Sequence, residues 1–180
     1  MAHFAELESK TDPTGFTSDT HLIVKRVVVV GNDISTAAGP LGNNDMHVDG
    51  ETWCQNFFGG TWKQTSWNAN FRKKFAGKGD VYNPTKDRFL DQQPYASWYL
   101  NNNDDWTAPV TYPTTEFYDH PTKTYSEGDY IPEGKSIGDA VRCNYLIEWD
   151  EDNRKWIAAD VEDPPNDHEW DPSALKWNKV

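Results

Sequence analysis

The chain has 180 residues, of which 29 are acidic and 17 basic, for a net charge of −12, and its mean hydropathy is −0.86. Such a field repels phosphate backbones, which argues against nucleic-acid binding, and no stretch approaches the length of a membrane span, which argues against membrane insertion. Only 36% of residues are hydrophobic while 14% are aromatic, so the expected core is thin and made of small ring clusters.

Met1-Ala2-His3 opens without the charged and apolar regions of a secretory signal, from which synthesis in cytoplasm is expected. Phe4 to Leu7 and the β-branched run Leu22 to Val30, ended by Gly31-Asn32-Asp33, predict two strands able to form an antiparallel hairpin. Ser35 to Asp45 reads as a loop. Asp49 can cap a short helix carrying Glu51, Trp53, Cys54, Phe57 and Phe58, with Gly59-Gly60 as its stop. Trp53, Phe57 and Phe58 share a helical side, which is expected to pack on the first sheet. Strand character resumes from Thr61 to Trp67. Arg72-Lys73-Lys74 with Lys78 is a short basic run, interrupted by Phe75.

Beyond Phe75 one short pattern recurs: an aromatic, then Asn or Asp, then five mostly polar residues, then another aromatic. Tyr82-Asn83 to Phe89, Trp149-Asp150 to Trp156 and Trp170-Asp171 to Trp177 follow it, with a one-residue-shorter form from Leu100-Asn101 to Trp106. Such spacing predicts hairpins with facing rings. If Trp149 opposes Trp156, Asp150 meets Lys155, Glu151 meets Arg154, and Asp152-Asn153 make the turn; loops of three to five residues would fit as well. Likewise Trp170 opposes Trp177 and Asp171 opposes Lys176. Between these hairpins, Pro109, Pro113, Pro121 and Pro132, with Gly128, Gly134 and Gly138, predict loop or linker.

The expected fold is therefore mainly β with one short helix. Its parts are an N-terminal β-α-β unit (1–75), an aromatic hairpin region (76–113), a Pro/Gly-rich loop or linker (114–140) and a C-terminal double hairpin (141–180). Isolated hairpins are marginal in water, so these must lean on each other, on the N-terminal part or on another protein.

Chemical signatures are few. His3, His21, His47, His120 and His168 are scattered without metal-ligand spacing, and Cys54 and Cys143 stand apart, as expected of buried reduced thiols. No nucleophile elbow, phosphate-binding loop or dinucleotide fingerprint occurs. Asn43 to Glu51 is the most calcium-like run, but with Asp45 as first ligand the twelfth position is Asn56 rather than Glu; a turn leading into a helix cap explains it better. Carboxylate pairs such as Asp104-Asp105, Glu148-Asp150 and Asp160 to Asp163 fall in turns, as solvated surface does. Neither a cofactor nor a metal nor an enzymatic activity is expected. Exposed rings could stack on sugars, although cross-strand pairing already accounts for their spacing.

The stretch Gly59 to Gly77 (GGTWKQTSWNANFRKKFAG) followed by Tyr82 to Phe89, with Gln92-Gln93-Pro94-Tyr95-Ala96-Ser97-Trp98-Tyr99-Leu100 and Trp106 to Pro113, resembles a family of small virion proteins of marine tailed bacteriophages. Members often carry similar W-x-Q-T-S-Y-N and R-K-x-Y-A-G blocks and a closing tryptophan hairpin. This chain departs from that pattern at Trp67, where Tyr is common, and from Phe117 to Arg142. The resemblance implies a non-enzymatic structural protein of the virion surface, associated with capsid or with tail and fibre and bound to other virion proteins; self-assembly is expected because a thin core is often completed by symmetric partners. Trp62, Trp67, Trp98 and Trp106 are the expected partner or ligand contacts; a module for host surface glycans is the alternative.

Overall fold

A computed structural model describes residues 1–9, 21–42, 48–162 and 165–180. The protein is mainly β with a single short helix among the described residues, and it divides into two compact units, Met1–Thr107 and Ala108–Val180.

In the first unit, β1 (Ala2–Glu8) and β2 (Leu22–Val30) pair antiparallel. Their register slips between Glu6 and Leu7, so that Glu6 faces Arg26 and Leu7 faces Val24. The extra residue in that bulge is Lys25, and both cations reach the same carboxylate: Lys25 at 2.8 Å, Arg26 closer still. Burial opposes ionisation of Glu6, yet the bonds from Lys25 and Arg26 outweigh it and hold the carboxyl below its ordinary value. A small hairpin, β3 (Ser35–Thr36) with β4 (Gly39–Pro40), occupies part of the segment read as loop.

Helix α1 (Val48–Phe58) ends where expected, with Gly59 and Gly60 at φ 73° and 76° and Gly59 N–H donating to Gln55 O. Its packing face differs from the sequence reading. Gly50, Glu51 and Cys54 are buried and Trp53 packs half-buried against the core as expected, whereas Phe57 and Phe58 are exposed. The cause is close approach: a Cβ at Gly50 would lie 2.3 Å from the Phe4 ring, so only glycine lets α1 settle on β1. Cys54 joins Ala2, Phe4, Val30, Leu41 and Trp62 in the cluster beneath the helix. Its thiol is pushed up to about 12, by burial first and then by Glu51.

Strand β5 (Thr61–Thr65) pairs with β1 on the side away from β2. The hairpin β6 (Val81–Asn83) and β7 (Arg88–Leu90) adds to β2, giving the order β5-β1-β2-β6-β7. The first aromatic repeat, Tyr82 to Phe89, is thus part of the N-terminal sheet, and the boundary expected near residue 75 does not separate the two. Its second core cluster, Ala5, Leu7, Val24, Ala76, Tyr82 and Phe89, lies on the sheet face opposite α1. The unit closes with β8 (Tyr99–Leu100) paired to β9 (Trp106–Thr107).

In the second unit, β10 (Phe117–Thr124) pairs with β11 (Ala140–Asn144), so the segment read as linker carries an eight-residue strand. Pro121 is tolerated because the ladder is interrupted between Asp119 and Thr124. The strands β12 (Leu146–Asp150), β13 (Lys155–Ala159), β14 (Asp167–Asp171) and β15 (Lys176–Lys179) form one meander in that order. What reads as two separate hairpins is one sheet, because Ile157, Ala158 and Ala159 also pair with Glu169, His168 and Asp167. Asp160 holds that connection, accepting from the Glu162 and Asn166 amides and from the Asn166 side chain.

The predicted registers are present: Tyr82 faces Phe89, Trp149 faces Trp156, and Trp170 faces Trp177. Both indole pairs meet edge to face, at 5.1 and 5.2 Å, a geometry favoured by the ring quadrupoles. Asp150 opposes Lys155 and Asp171 opposes Lys176. Glu151 and Arg154, however, are not a strand pair. The loop is the four-residue form, in which the residue after the first ring accepts amide protons from the turn: Asn83 from Thr85 and Lys86, Asp150 from Asn153, Asp171 from Ser173 and Ala174. The last turn residue is left-handed in each copy, Asp87 at φ 48°, Arg154 at 52° and Leu175 at 52°. Asn or Asp recurs after the first ring because only a short side-chain acceptor closes this turn.

Candidate partner-binding surface

Besides Tyr99 on β8, two groups of rings in the first unit reach solvent. At the C-terminal end of α1, Trp53 stacks on Phe57 at 4.9 Å, Phe57 meets Phe58 edge-on at 4.7 Å, and Phe58 leans on Trp62 at 5.3 Å. The Arg26 guanidinium lies over both Phe58 and Trp62, 5.3 and 5.5 Å from their centroids. Exposure rises along this row, from Trp62 at 3% to Phe58 at 41% and Phe57 at 68%. The row is rooted in the core at buried Trp62 and at half-buried Trp53, and Phe57 and Phe58 between them reach solvent, an apolar patch fixed from below.

Trp67 forms the second exposed group. It is 70% exposed and lies just beyond the end of β5, stacked on His3 at 5.8 Å and edge-on to Phe75 at 5.0 Å. Burial, with a smaller push from the N-terminal ammonium, lowers the His3 pKa, which keeps this platform uncharged near neutrality.

The four tryptophans expected at contacts therefore divide. Trp67 presents its ring to solvent. Trp62 does not: it belongs to the core beneath α1, with its indole N–H donating to Gly59 O at 2.6 Å, and the expectation of an exposed contact there is corrected. Trp98 is half-buried against Tyr95, and Trp106 is half-buried with its indole N–H donating to Asp91 O at 2.8 Å. Ring periodicity places Phe57 and Phe58 on the core side of the helix, yet they are exposed; the small residues Gly50 and Cys54, four apart, are the signal that marks the true core side.

Arg72, Lys73 and Lys74 of the basic run are already committed to partners within the chain. Arg72 is buried and donates to Glu51 Oε1 at 2.7 Å, Asp87 Oδ1 at 2.8 Å and Gln64 O at 2.8 Å. Lys73 bonds the Asn103 and Asp104 carbonyls and Asp105, while Lys74 pairs with Asp80 and Asp91. Tyr82 donates its hydroxyl to Asp87; burial and that carboxylate raise the phenol pKa. Burial opposes ionisation of Asp87, but the bonds from Tyr82 and Arg72 prevail and depress its pKa.

This network closes the first sheet. The outward amide and carbonyl of Gln64, on edge strand β5, are taken by Glu51 (2.9 Å) and Arg72. On the other edge strand, β7, Phe89 N–H donates to the Arg72 carbonyl at 3.0 Å. One residue thus touches both edges of a curled sheet and satisfies groups that would otherwise template pairing with another chain. Nearby, buried Asp104 receives Lys86 and Arg88, and its pKa is lowered mainly by the Lys86 bond.

Within the second unit, the indole N–H groups of Trp156 and Trp177 donate to Val110 O and Thr115 O, at 3.0 and 2.7 Å, so the segment before β10 covers the tryptophan face of the meander. Tyr112 adds an edge-on contact to Trp156 at 5.0 Å. Those tryptophans are packing elements. Of the calcium-like run, residues 43–47 lie outside the described ones, and Glu51 is committed to Arg72, Lys63 and the Gln64 amide. Among the described residues, no helix is long and apolar enough to cross a membrane. Comparison of the chain with family models, with curated proteins and with solved structures returned no match.

Proposed function

We propose that this chain is a non-enzymatic structural protein of a bacteriophage particle, attached to a neighbouring virion protein through the ring row of α1. The observation that carries the reading is Phe57 and Phe58, exposed beside the Arg26 guanidinium and anchored on buried Trp62. Aromatic residues and Arg held rigidly at a surface are what the centre of a protein interface uses, since they bury much area at little entropic cost. The sequence blocks from Gly59 to Pro113 supply the virion context. Copies of the chain assemble with one another on the particle, as a thin core is often completed by symmetric partners.

The test is incorporation. Particles are purified from phage carrying Phe57→Ser with Phe58→Ser, and the chain is quantified by mass spectrometry beside the wild type. The wild-type chain is expected at fixed stoichiometry, and the variant, folded by circular dichroism, is expected to be lost from particles. A variant incorporated at the wild-type copy number refutes attachment through this patch; absence of the wild-type chain from washed particles refutes the virion reading.

A second reading rests on Trp67, whose ring is held by His3 beside exposed Asn68 and Asn70, an arrangement suited to stacking on a host surface glycan. It predicts that Trp67→Ala particles assemble normally but adsorb poorly to host cells.

A further inference from the structure

The solvent side of the C-terminal meander, remote in sequence from the rings of α1, is chemically uneven. Nearest the turns its charges balance, Asp150 facing Lys155 and Asp171 facing Lys176. Farther along, one cross-strand row sets Glu148 beside Ile157 and Ile157 beside Glu169. The next sets Leu146 beside Ala159 and Ala159 beside Asp167, with Val180 N–H donating to Asp167 O at 2.9 Å. These two rows line a groove whose floor is aliphatic and whose carboxylates are Glu148, Asp167 and Glu169. Among the described residues, only Glu169 of these three meets a cation, Lys155. Leu146 is 61% exposed and Val180 73%.

Strands lie about 5 Å apart, so Glu148 and Glu169 flank Ile157 at roughly twice that spacing. Two like charges across an exposed aliphatic side chain do not help the sheet itself. They suit a partner that brings cations to the acids and an apolar group to the aliphatic floor. A second copy is disfavoured at this acidic face, since each copy carries a net charge of −12, and the contacts that join copies on the particle are expected to lie elsewhere.

We infer that this groove is a docking site for a protein segment in which Lys or Arg flanks an apolar side chain, a second contact face independent of the virion reading. Charge complementarity carries the choice of partner.

The full chain, labelled at Leu, Ile and Val methyls, is titrated with a blocked peptide alternating lysine and leucine and, separately, with one alternating glutamate and leucine. The basic peptide is expected to shift the Leu146, Ile157 and Val180 methyls and the acidic one to leave them unmoved. Combining Glu148→Gln with Asp167→Asn, both at exposed positions, is expected to weaken the basic peptide about tenfold with unchanged amide dispersion. The inference is overturned if neither peptide moves these methyls, if both move them equally, or if the double variant binds as wild type. It is also overturned if the same methyls shift when the protein alone is concentrated, which would assign the groove to a second copy.

Discussion

Arg72→Met removes the guanidinium that ties edge strand β5 to Asp87 in the β6–β7 turn and that fixes the position of the backbone carbonyl holding β7. The guanidinium gives charge-assisted bonds to Glu51 and Asp87 and one bond to the Gln64 carbonyl, and bonds to charged groups contribute about 1.5–3 kcal/mol each. Their sum overstates the loss. The Asp87 side chain is 43% exposed and can be hydrated, and Glu51 keeps Lys63 at 3.0 Å. Glu51, only 10% exposed, then lacks its main partner, and breaking a buried pair costs about 3–5 kcal/mol; the lower end applies here. With a urea slope of about 1–3 kcal/mol/M, the midpoint of the first unit should fall by about 1–3 M. Hydrogen exchange supplies the local readout, since the Gln64 amide is bonded to Glu51 and the Phe89 amide to the Arg72 carbonyl. Both should lose protection. In a double-mutant cycle with Glu51→Gln, the coupling should exceed about 1 kcal/mol, as for residues within one network. A midpoint shift equivalent to less than about 1 kcal/mol, with both amides still protected, would refute the clasp.

Leu175→Gly should stabilise the last hairpin: Leu175 is exposed at φ 52°, and relief of about 1 kcal/mol of left-handed strain should raise the melting temperature by about 2–4 °C; a lower one contradicts the turn geometry. The depressed pKa of Asp104 means that its stabilisation is present above the unfolded value near pH 4 and is lost as pH falls through the folded value. Asp104→Asn should therefore flatten the stability profile below about pH 4 relative to wild type, as read by urea midpoints across acid pH; an unchanged slope would contradict the pairing with Lys86 and Arg88. The edge-to-face indoles should give a bisignate exciton signal in circular dichroism that weakens on Trp156→Val and again on Trp177→Val, and its persistence in both would rule out these pairs. Cys54, wholly buried with its thiol pushed up to about 12, should resist a disulfide reagent until the chain unfolds, while half-buried Cys143 reacts first; the reverse order, read by peptide mapping, would contradict the packing under α1.

The repeated hairpins were legible because their information is local: ring, Asx, and facing acid and base lie within eight residues, and pairing energies at that distance determine the register. The strands from Ala2 to Val30 were legible for the same reason. The packing side of α1 was legible only at Trp53, since ring periodicity pointed to Phe57 and Phe58 as well while close approach of Phe4 to Gly50 decided the face. Strand β10 was hidden by Pro121 and by a mostly exposed surface with little alternation. The Arg72 clasp joins residues 21, 15 and 8 positions away; nothing in the basic run itself distinguishes a buried strut from a solvated patch. Among the tryptophans, spacing alone could not tell core Trp62 from exposed Trp67, because both lie on or just beyond β5.

The most direct test of the central claim is a density map of the intact particle at a resolution that shows side chains, with this chain placed in it. The account predicts repeated copies in which Phe57 and Phe58 are buried against a neighbouring virion protein and Arg26 is covered with them. A map in which the chain occupies a particle position but leaves that ring row in solvent, its contacts made elsewhere, would contradict it.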